Sequence, residues 1–106
     1  MEVLTDGAER YLALRDGRAA GPGFDAEAFV ALPEEIRLRL LKRAIDRVGH
    51  EGPAELGKVE VLLAALDQAV MHGTGKLKKT LAGAVIGLAI GRIRVEPAPP
   101  RRSRAR

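Results

Sequence analysis

Apolar residues recur at helical spacing in two long segments in the middle of the chain. In residues 33–48 they lie three or four positions apart, and a proline followed by Glu34 and Glu35 suits the first turn of a helix. A second amphipathic segment covers residues 56–70 and stops at Gly73. The pattern predicts two antiparallel helices joined by a short turn, and we expect these to form the core.

Shorter elements come before this helix pair. Apolar positions near the N-terminus predict a leading helix over residues 1–16. Residues 17–23 contain three glycines and a proline, which predicts a flexible connector between this helix and the rest of the chain. Asp25 can cap a brief helical turn that follows. Gly49 is expected to end the helix of residues 33–48 in a left-handed conformation.

The period of the pattern changes after residue 75. Residues 92–96 alternate between charged and apolar side chains, which is typical of a strand with Ile93 and Val95 turned inward. Residues 81–88 are apolar and contain two glycines, as in a partner strand that bends. The sequence therefore predicts a β-hairpin over residues 80–96.

The same segment also admits a helical interpretation. Gly83, Gly87 and Gly91 lie four positions apart and would align on one face of a closely packed helix. Three interior glycines cost about 1 kcal/mol each relative to alanine in a helix exposed to water. Ile90 and Gly91 also offer a turn between two strands. We therefore expect the hairpin rather than the helix.

Together these elements predict a mainly α (α+β) fold, a small helical domain with a two-helix core and a C-terminal β-hairpin. The domain proper is expected to cover residues 24–97, and residues 98–106 are expected to form a disordered basic tail. The 106 residues suffice for one modest core, since 46% of them are hydrophobic. Aromatic side chains make up only 3%, which favours packed helices over an aromatic-filled barrel.

Positive charge is concentrated in the second part of the chain. Residues 1–67 have nine Lys and Arg against thirteen Asp and Glu, whereas residues 68–106 have nine against one. A one-sided field of this kind attracts polyanions, of which nucleic acid is the commonest. Half of the +8 surplus comes from the tail arginines Arg101, Arg102, Arg104 and Arg106. A solubilising tail without any bound partner therefore remains an alternative explanation.

Eight basic residues form the candidate nucleic-acid-binding set. Three lie four apart on the polar face of the helix of residues 33–48, three precede the hairpin, and two share one face of its second strand. They are Arg39, Arg43, Arg47, Lys76, Lys78, Lys79, Arg92 and Arg94. Arginine rows suit phosphate contacts. For the three helix arginines an ordinary solvated face is the favoured alternative, whereas binding is favoured for the hairpin group.

No motif in the chain indicates catalysis, a cofactor or a metal. Residues 73–76 resemble a phosphate-binding loop, but Val70 and Leu77 occupy positions where that motif requires glycine and a hydroxyl residue. His50 and His72 are isolated and lack the spacing of metal ligands. No Ser-His-Asp, Cys-His or paired-carboxylate arrangement of the kind used in catalysis is evident in the sequence. The scarcity of aromatics also argues against recognition of single strands by stacking on aromatic rings.

The sequence also limits the cellular compartment in which we expect the protein. It has no cysteine, which permits a reducing compartment. No signal peptide is evident, and the longest uncharged apolar run, residues 81–90, is about half as long as a membrane-spanning helix. We therefore expect a cytoplasmic protein without a membrane partner.

The order of the elements resembles a known family. Leu32 and Pro33 precede an arginine-rich helix, a leucine-rich helix follows, and then come Thr80, Leu81, Gly83 and the strand of residues 91–97. In this order they are similar to the region after the catalytic domain in bacterial tRNA(Ile)-lysidine synthetases. The resemblance covers about residues 8–97. A second glycine usual in the hairpin motif is replaced by Ala82.

The resemblance implies an accessory, tRNA-binding domain of an ATP-dependent ligase that attaches lysine to an anticodon cytidine. Its expected partners are tRNA and the catalytic domain of the same polypeptide. Such enzymes hold ATP in an N-terminal domain with a Ser-Gly-Gly-x-Asp-Ser loop, which does not occur in this chain. The resemblance therefore implies a fragment without catalytic residues or a cofactor of its own.

Two other classes of protein stay open on the sequence. One is a non-catalytic helical protein-interaction domain with a basic tail. The other is a membrane-surface or glycine-stripe helix module.

Overall fold

The structure, a computed structural model, describes residues 2–16, 23–73 and 75–99, which form four helices and four strands. In chain order they are α1 (Glu2–Asp16), β1 (Gly23–Asp25), α2 (Ala26–Val30), α3 (Glu34–Val48), α4 (Leu56–Met71), β2 (Leu77–Leu81), β3 (Ala84–Ala89) and β4 (Arg92–Pro97). The predicted α+β class is confirmed.

The start of α2 has a side-chain cap, whereas the N-cap residues of α3 and α4 make no side-chain capping hydrogen bond. Asp25 caps α2, since its carboxylate accepts a hydrogen bond from the backbone N–H of Ala28 at 2.9 Å. Pro33 stands at the N-cap of α3. Arg37 near the start of α3 forms an ion pair with Asp67 near the end of α4, so the two helices run antiparallel, as predicted.

The four strands form one antiparallel sheet in the order β1-β4-β3-β2. In the β3–β4 hairpin Ile86 pairs with Val95, and Leu88 pairs with Ile93. All four side chains are buried on the face that the helices cover. Strands rather than a helix thus occupy the predicted hairpin, and its second strand turns the expected residues inward.

Two strands were not predicted. The lysine-rich segment β2 was interpreted as a loop leading into the hairpin, and Gly23 of β1 was assigned to the flexible connector. The predicted strand of residues 81–88 is also interrupted, because Ala82 and Gly83 have φ of 54° and 83° and form a two-residue turn between β2 and β3. The hairpin is therefore part of a larger sheet.

The hydrophobic core lies between the helices and the inner face of the sheet, so the prediction of a two-helix core is not confirmed. Leu41 and Ile45 of α3 and Leu66 of α4 are fully buried, as the helical pattern requires. Equally buried side chains come from the other elements, among them Leu12 of α1, Phe29 of α2 and Ile86 of β3. Helices alone could not cover these apolar faces, and the sheet closes the core.

Gly49 ends α3, but not in the predicted left-handed conformation. Its φ of −68° and ψ of 151° are extended, so conformation does not require glycine there. Close packing does require glycine at this position, because a Cβ atom would lie 2.3 Å from the carbonyl oxygen of Ala82. The segment after α3 thus meets the β2–β3 turn, and the backbone N–H of Glu51 donates to the same oxygen at 3.2 Å.

Parts of two predicted segments lie outside the described residues. These are residues 17–22 of the connector and residues 100–106 of the basic tail. Within the described ranges no helix is long and apolar enough to cross a membrane.

Candidate nucleic-acid interface

The outer face of the sheet is not covered by any element of the described chain. Along β3 and β4 the inward side chains are buried, whereas those between them point away from the helices and are half-buried or exposed. The register places ten residues on this side, which we call the open sheet face. They are Gly23, Asp25, Lys78, Thr80, Val85, Gly87, Ala89, Arg92, Arg94 and Glu96.

A row of paired positions crosses the middle of the open sheet face. Lys78 of β2 pairs with Gly87 of β3, and Gly87 pairs with Arg94 of β4. Neighbouring strands lie about 4.8 Å apart, so the two basic residues stand about 10 Å from each other with only a glycine between them. A shallow depression over Gly87 is lined by Lys78, Arg94 and Glu96, among others. The row is therefore a flat strip with a cation on either side.

The fold itself does not require glycine at position 87. A Cβ atom there would meet only the carbonyl oxygen of Leu77, at an ordinary 3.8 Å, and the backbone does not have a positive φ. A glycine within a strand weakens the strand and often marks a place where another molecule approaches closely. Gly23 is different, because a Cβ atom at that position would lie 2.2 Å from the carbonyl oxygen of Ile93.

The hairpin cations differ in their surroundings. The Arg94 side chain is 54% exposed, and its guanidinium lies 3.4 Å from the Glu96 carboxylate, which makes a weak surface pair. Arg92 is half-buried and interacts within the protein. Lys76 directly precedes β2 and lies at the end of the sheet where Arg92 begins β4. Lys79 pairs with Ile86 and so belongs to the opposite face, beside α4.

The predicted arginine row of α3 faces the carboxylates of α1 instead. Arg43 donates to Asp6 at 2.7 Å and to Glu9 at 3.0 Å, and it also contacts Glu2. Arg47 donates to Glu9. Arg39 has the carboxylates of Glu2 and Glu35 each 3.6 Å away. This α1–α3 ion-pair cluster attaches the leading helix to the body of the domain.

The charges in the cluster shift each other's titration. Partial burial raises the pKa of Glu9, but hydrogen bonds from Arg47 and Arg43 outweigh it and hold that pKa below its ordinary value of 4.5. The Asp6 hydrogen bond, together with Glu9, raises the pKa of Arg43 against the smaller effect of burial. The cluster is therefore a set of mutually stabilised charges at neutral pH.

The structure brings together only part of the predicted set. Lys78, Arg92 and Arg94 share the open sheet face, with Lys76 beside it, whereas Arg39, Arg43 and Arg47 lie on α3 facing α1. Gly87 was missed as a site residue because a lone glycine in an apolar run indicates only a bend. The sequence of β2 does not alternate between apolar and polar residues, because Lys79 stands between Leu77 and Leu81 on the inward side.

The described residues hold no group of three or more histidine, cysteine or acidic side chains placed to bind a metal ion. The imidazole Nε2 of His50 lies 3.1 Å from the carbonyl oxygen of Ala98, next to the β2–β3 turn. His72 follows α4 and is exposed. Both histidines thus lie beyond the ends of helices, as the sequence indicated.

Comparison with known proteins places the chain in a sequence family. It is 58% identical over 118 residues to a tRNA(Ile)-lysidine synthase of Bradyrhizobium diazoefficiens, a match that covers 96% of this chain and 33% of the relative. The protein of that name from Rhodopseudomonas palustris is 51% identical across all of this chain and 32% of its own length. One from Methylobacterium nodulans is 41% identical over 97% of this chain.

No protein-family model and no solved structure matches the chain. The chain spans about a third of the length of these curated relatives, and the matches fall in their C-terminal third. They do not favour the alternative of a helical protein-interaction domain with a basic tail. The chain is therefore a homologue of the C-terminal third of tRNA(Ile)-lysidine synthases, the family that the order of its sequence elements resembles.

Proposed function

We propose that this chain is the tRNA-contacting accessory domain of a tRNA(Ile)-lysidine synthase. In this proposal the complete enzyme is an ATP-dependent ligase that attaches lysine to an anticodon cytidine. The sites for ATP and lysine belong to a catalytic domain corresponding to the other two-thirds of the relatives. The domain described above contributes binding and orientation of the RNA, and none of its residues takes part in the chemical step.

The observation that carries the proposal is the row of Lys78, Gly87 and Arg94 on the open sheet face. Phosphates of an RNA backbone need cations that reach them without another part of the protein in between. The absence of a side chain at Gly87 lets a backbone lie flat on β3 between the two basic side chains. Arg92 extends the positive charge toward one end of the same face, where Asp25 pairs with it. Lys76 lies at this end of the sheet and lines a depression beside α4.

The arginines of α3 contribute less in this proposal. Each has acidic groups of α1 or of its own helix within 3.6 Å, and an RNA phosphate would have to displace them. The two basic groups also lie on different surfaces, so one straight stretch of backbone cannot engage both. Arg39, Arg43 and Arg47 stay predicted contacts, secondary to those of the sheet.

The test compares two variants that each lose two positive charges. Lys78→Gln with Arg94→Gln alters the open sheet face, and Lys42→Gln with Lys58→Gln alters lysines of α3 and α4 that pair with Asp46 and Glu55. Affinity for an isoleucine tRNA transcript is measured over a series of salt concentrations. The slope of log affinity against log salt should decrease by about 0.7–0.9 per lost phosphate contact.

We expect the sheet variant to lose about two contacts' worth of slope and the helix variant less than one. An equal loss in both variants would show that only net charge matters and would overturn the assignment of the open sheet face. Unchanged binding in the sheet variant would overturn it too. Thermal unfolding of each variant verifies that the fold is retained.

A further inference from the structure

Ile90 combines strained backbone with almost complete exposure. It is the first residue of the two-residue turn between β3 and β4, its φ is 53°, and its side chain is 97% exposed. Turns of this type need positive φ at both positions and strongly prefer asparagine or aspartate followed by glycine. A β-branched residue at positive φ is a rare exception. The fold therefore bears a cost at Ile90 and gains no buried contact in return.

The turn holds this side chain in a fixed position. The carbonyl oxygen of Gly91 accepts a hydrogen bond from the backbone N–H of Ala26 at 2.9 Å, which ties the tip of the hairpin to the start of α2. On the other side the pairing of Ala89 with Arg92 continues to the base of the turn. Ile90 is thus an apolar side chain projected into solvent from a rigid support.

The surroundings of Ile90 are charged rather than apolar. Arg92 follows two residues later on the open sheet face, and Lys76 lies at the same end of the sheet. Asp25 of β1 pairs with Arg92, and its carboxylate caps α2. The other large, exposed apolar side chains of the described residues belong to α1 and α4, among them Tyr11, Val61 and Met71. A protein–protein interface needs about 800 Å² on each partner around an apolar centre, which a single isoleucine among charged residues does not provide.

An apolar side chain next to a strip of cations suits nucleic acid. Isoleucine is one of the residues that proteins insert against base steps, while neighbouring basic groups hold the phosphates. Unpaired bases in RNA loops present open faces that an apolar side chain can cover. The chain has few aromatic residues for this purpose, and Ile90 stands where an aromatic platform would otherwise be useful.

We infer that Ile90 packs against an unpaired base of the RNA whose phosphates lie along the open sheet face. The inference rests on the proposed function, since it adds an apolar base contact to the same binding surface. Ile90 is then a specificity residue that distinguishes looped RNA from a continuous duplex, while Lys78 and Arg94 bind either through phosphates.

The test is Ile90→Asn in the full chain, with Ala82→Asn as the matched control. Both residues occupy the first position of a two-residue turn, with φ of 53° and 54°, so asparagine should relieve backbone strain at either site. Tm should rise by a few degrees for the exposed Ile90 and by less for Ala82, which packs partly against the core. Binding is measured with an RNA hairpin that carries an unpaired loop and with a fully paired duplex of the same length.

Ile90→Asn should weaken binding to the looped RNA about fivefold or more, leave the duplex within twofold, and leave the salt slope unchanged because no charge is lost. Ala82→Asn should leave binding to either RNA unchanged. A stabilised Ile90→Asn protein with unaltered affinity for the looped RNA would overturn the inference, as would a loss of Tm. If Ile90→Asn leaves affinity unaltered but the double variant of Lys78 and Arg94 binds more weakly than the unchanged chain, the proposed function stands. If that variant binds normally, both fail.

Discussion

Gly49 and Ala82 are in backbone contact, and a Cβ atom on the glycine would lie 2.3 Å from the alanine carbonyl oxygen. The end of α3 therefore sets the position of the β2–β3 turn. Because Lys78 and Thr80 lead into that turn, the contact also sets one side of the open sheet face. The helical layer and the proposed RNA surface are mechanically connected at this point.

Gly49→Ala should destabilise the domain by about 1–3 kcal/mol, because the added methyl group must push the turn away or force the backbone to shift. The matched control is Gly57→Ala in α4, where a Cβ atom would meet nothing within 4 Å. That change should stabilise the domain by up to about 1 kcal/mol through helix propensity. Urea unfolding measures both values, and equal effects of the two substitutions would contradict the close approach at Gly49.

The α1–α3 ion-pair cluster predicts a pH dependence of stability. The pKa of Glu9 is lower in the folded chain than its ordinary value of 4.5, so its contribution is complete above that pH and is lost as the pH falls through the folded pKa. Glu9→Gln should therefore reduce the difference in unfolding free energy between pH 7 and pH 3. The reduction should be below about 1 kcal/mol, because the side chain is 32% exposed.

Glu60→Gln, on an exposed position of α4, is the control for this experiment. It removes a carboxylate of the same kind outside the cluster. If Glu9→Gln and Glu60→Gln had the same effect on the pH dependence, the cluster would contribute nothing specific to the attachment of α1.

The buried faces of α3 and α4 predict large losses on truncation. Leu40 and Leu63 are almost fully buried, and replacing either by alanine should cost about 2–5 kcal/mol of unfolding free energy. Val61→Ala on the exposed side of α4 should change it by less than about 0.5 kcal/mol. Losses under about 1 kcal/mol at both leucines would be incompatible with the packing described.

Removal of the basic tail separates a folded binding surface from general attraction. A chain that ends at Ala98 should still bind tRNA with a marked salt dependence, since the open sheet face is retained. Replacing Lys76, Lys78 and Lys79 in this shorter chain should flatten the salt slope by fewer than about three contacts' worth, because Lys79 lies on the opposite face of the sheet. A shortened chain that binds no tRNA, beside a full chain that binds any RNA or DNA equally, would assign the charge effect to the tail.

The helices were predictable because their signals are local. Residues 33–48 and 56–70 were expected to be helical, and α3 (Glu34–Val48) and α4 (Leu56–Met71) lie within one residue of those bounds. The turn at Ile90 and Gly91 was also found, because strict alternation follows it. These features depend on side chains close in sequence, which a period of 3.6 or 2 reveals.

The missed features depend on contacts distant in sequence. β1 has three residues and exists through its pairing with β4, which lies about seventy positions later. The turn at Ala82 was hidden because alanine is unusual at positive φ. The opposition of Arg43 to Asp6 and Glu9 also requires α1 to lie against α3. The sequence located the basic residues, but only the register shows that Lys78 and Arg94 face the same side.

The position of β2 at the edge of the sheet gives its lysines a second role. No described strand pairs with its outer side, so its free N–H and C=O groups could template pairing with another copy of the chain. Charged side chains on an edge strand oppose such pairing, and Lys78 and Lys79 stand in the middle of β2. If RNA contact and resistance to aggregation depend on the same residues, a substitution there must preserve both properties to be tolerated in evolution. Lysine-to-glutamine variants should accordingly become more prone to self-association as protein concentration rises.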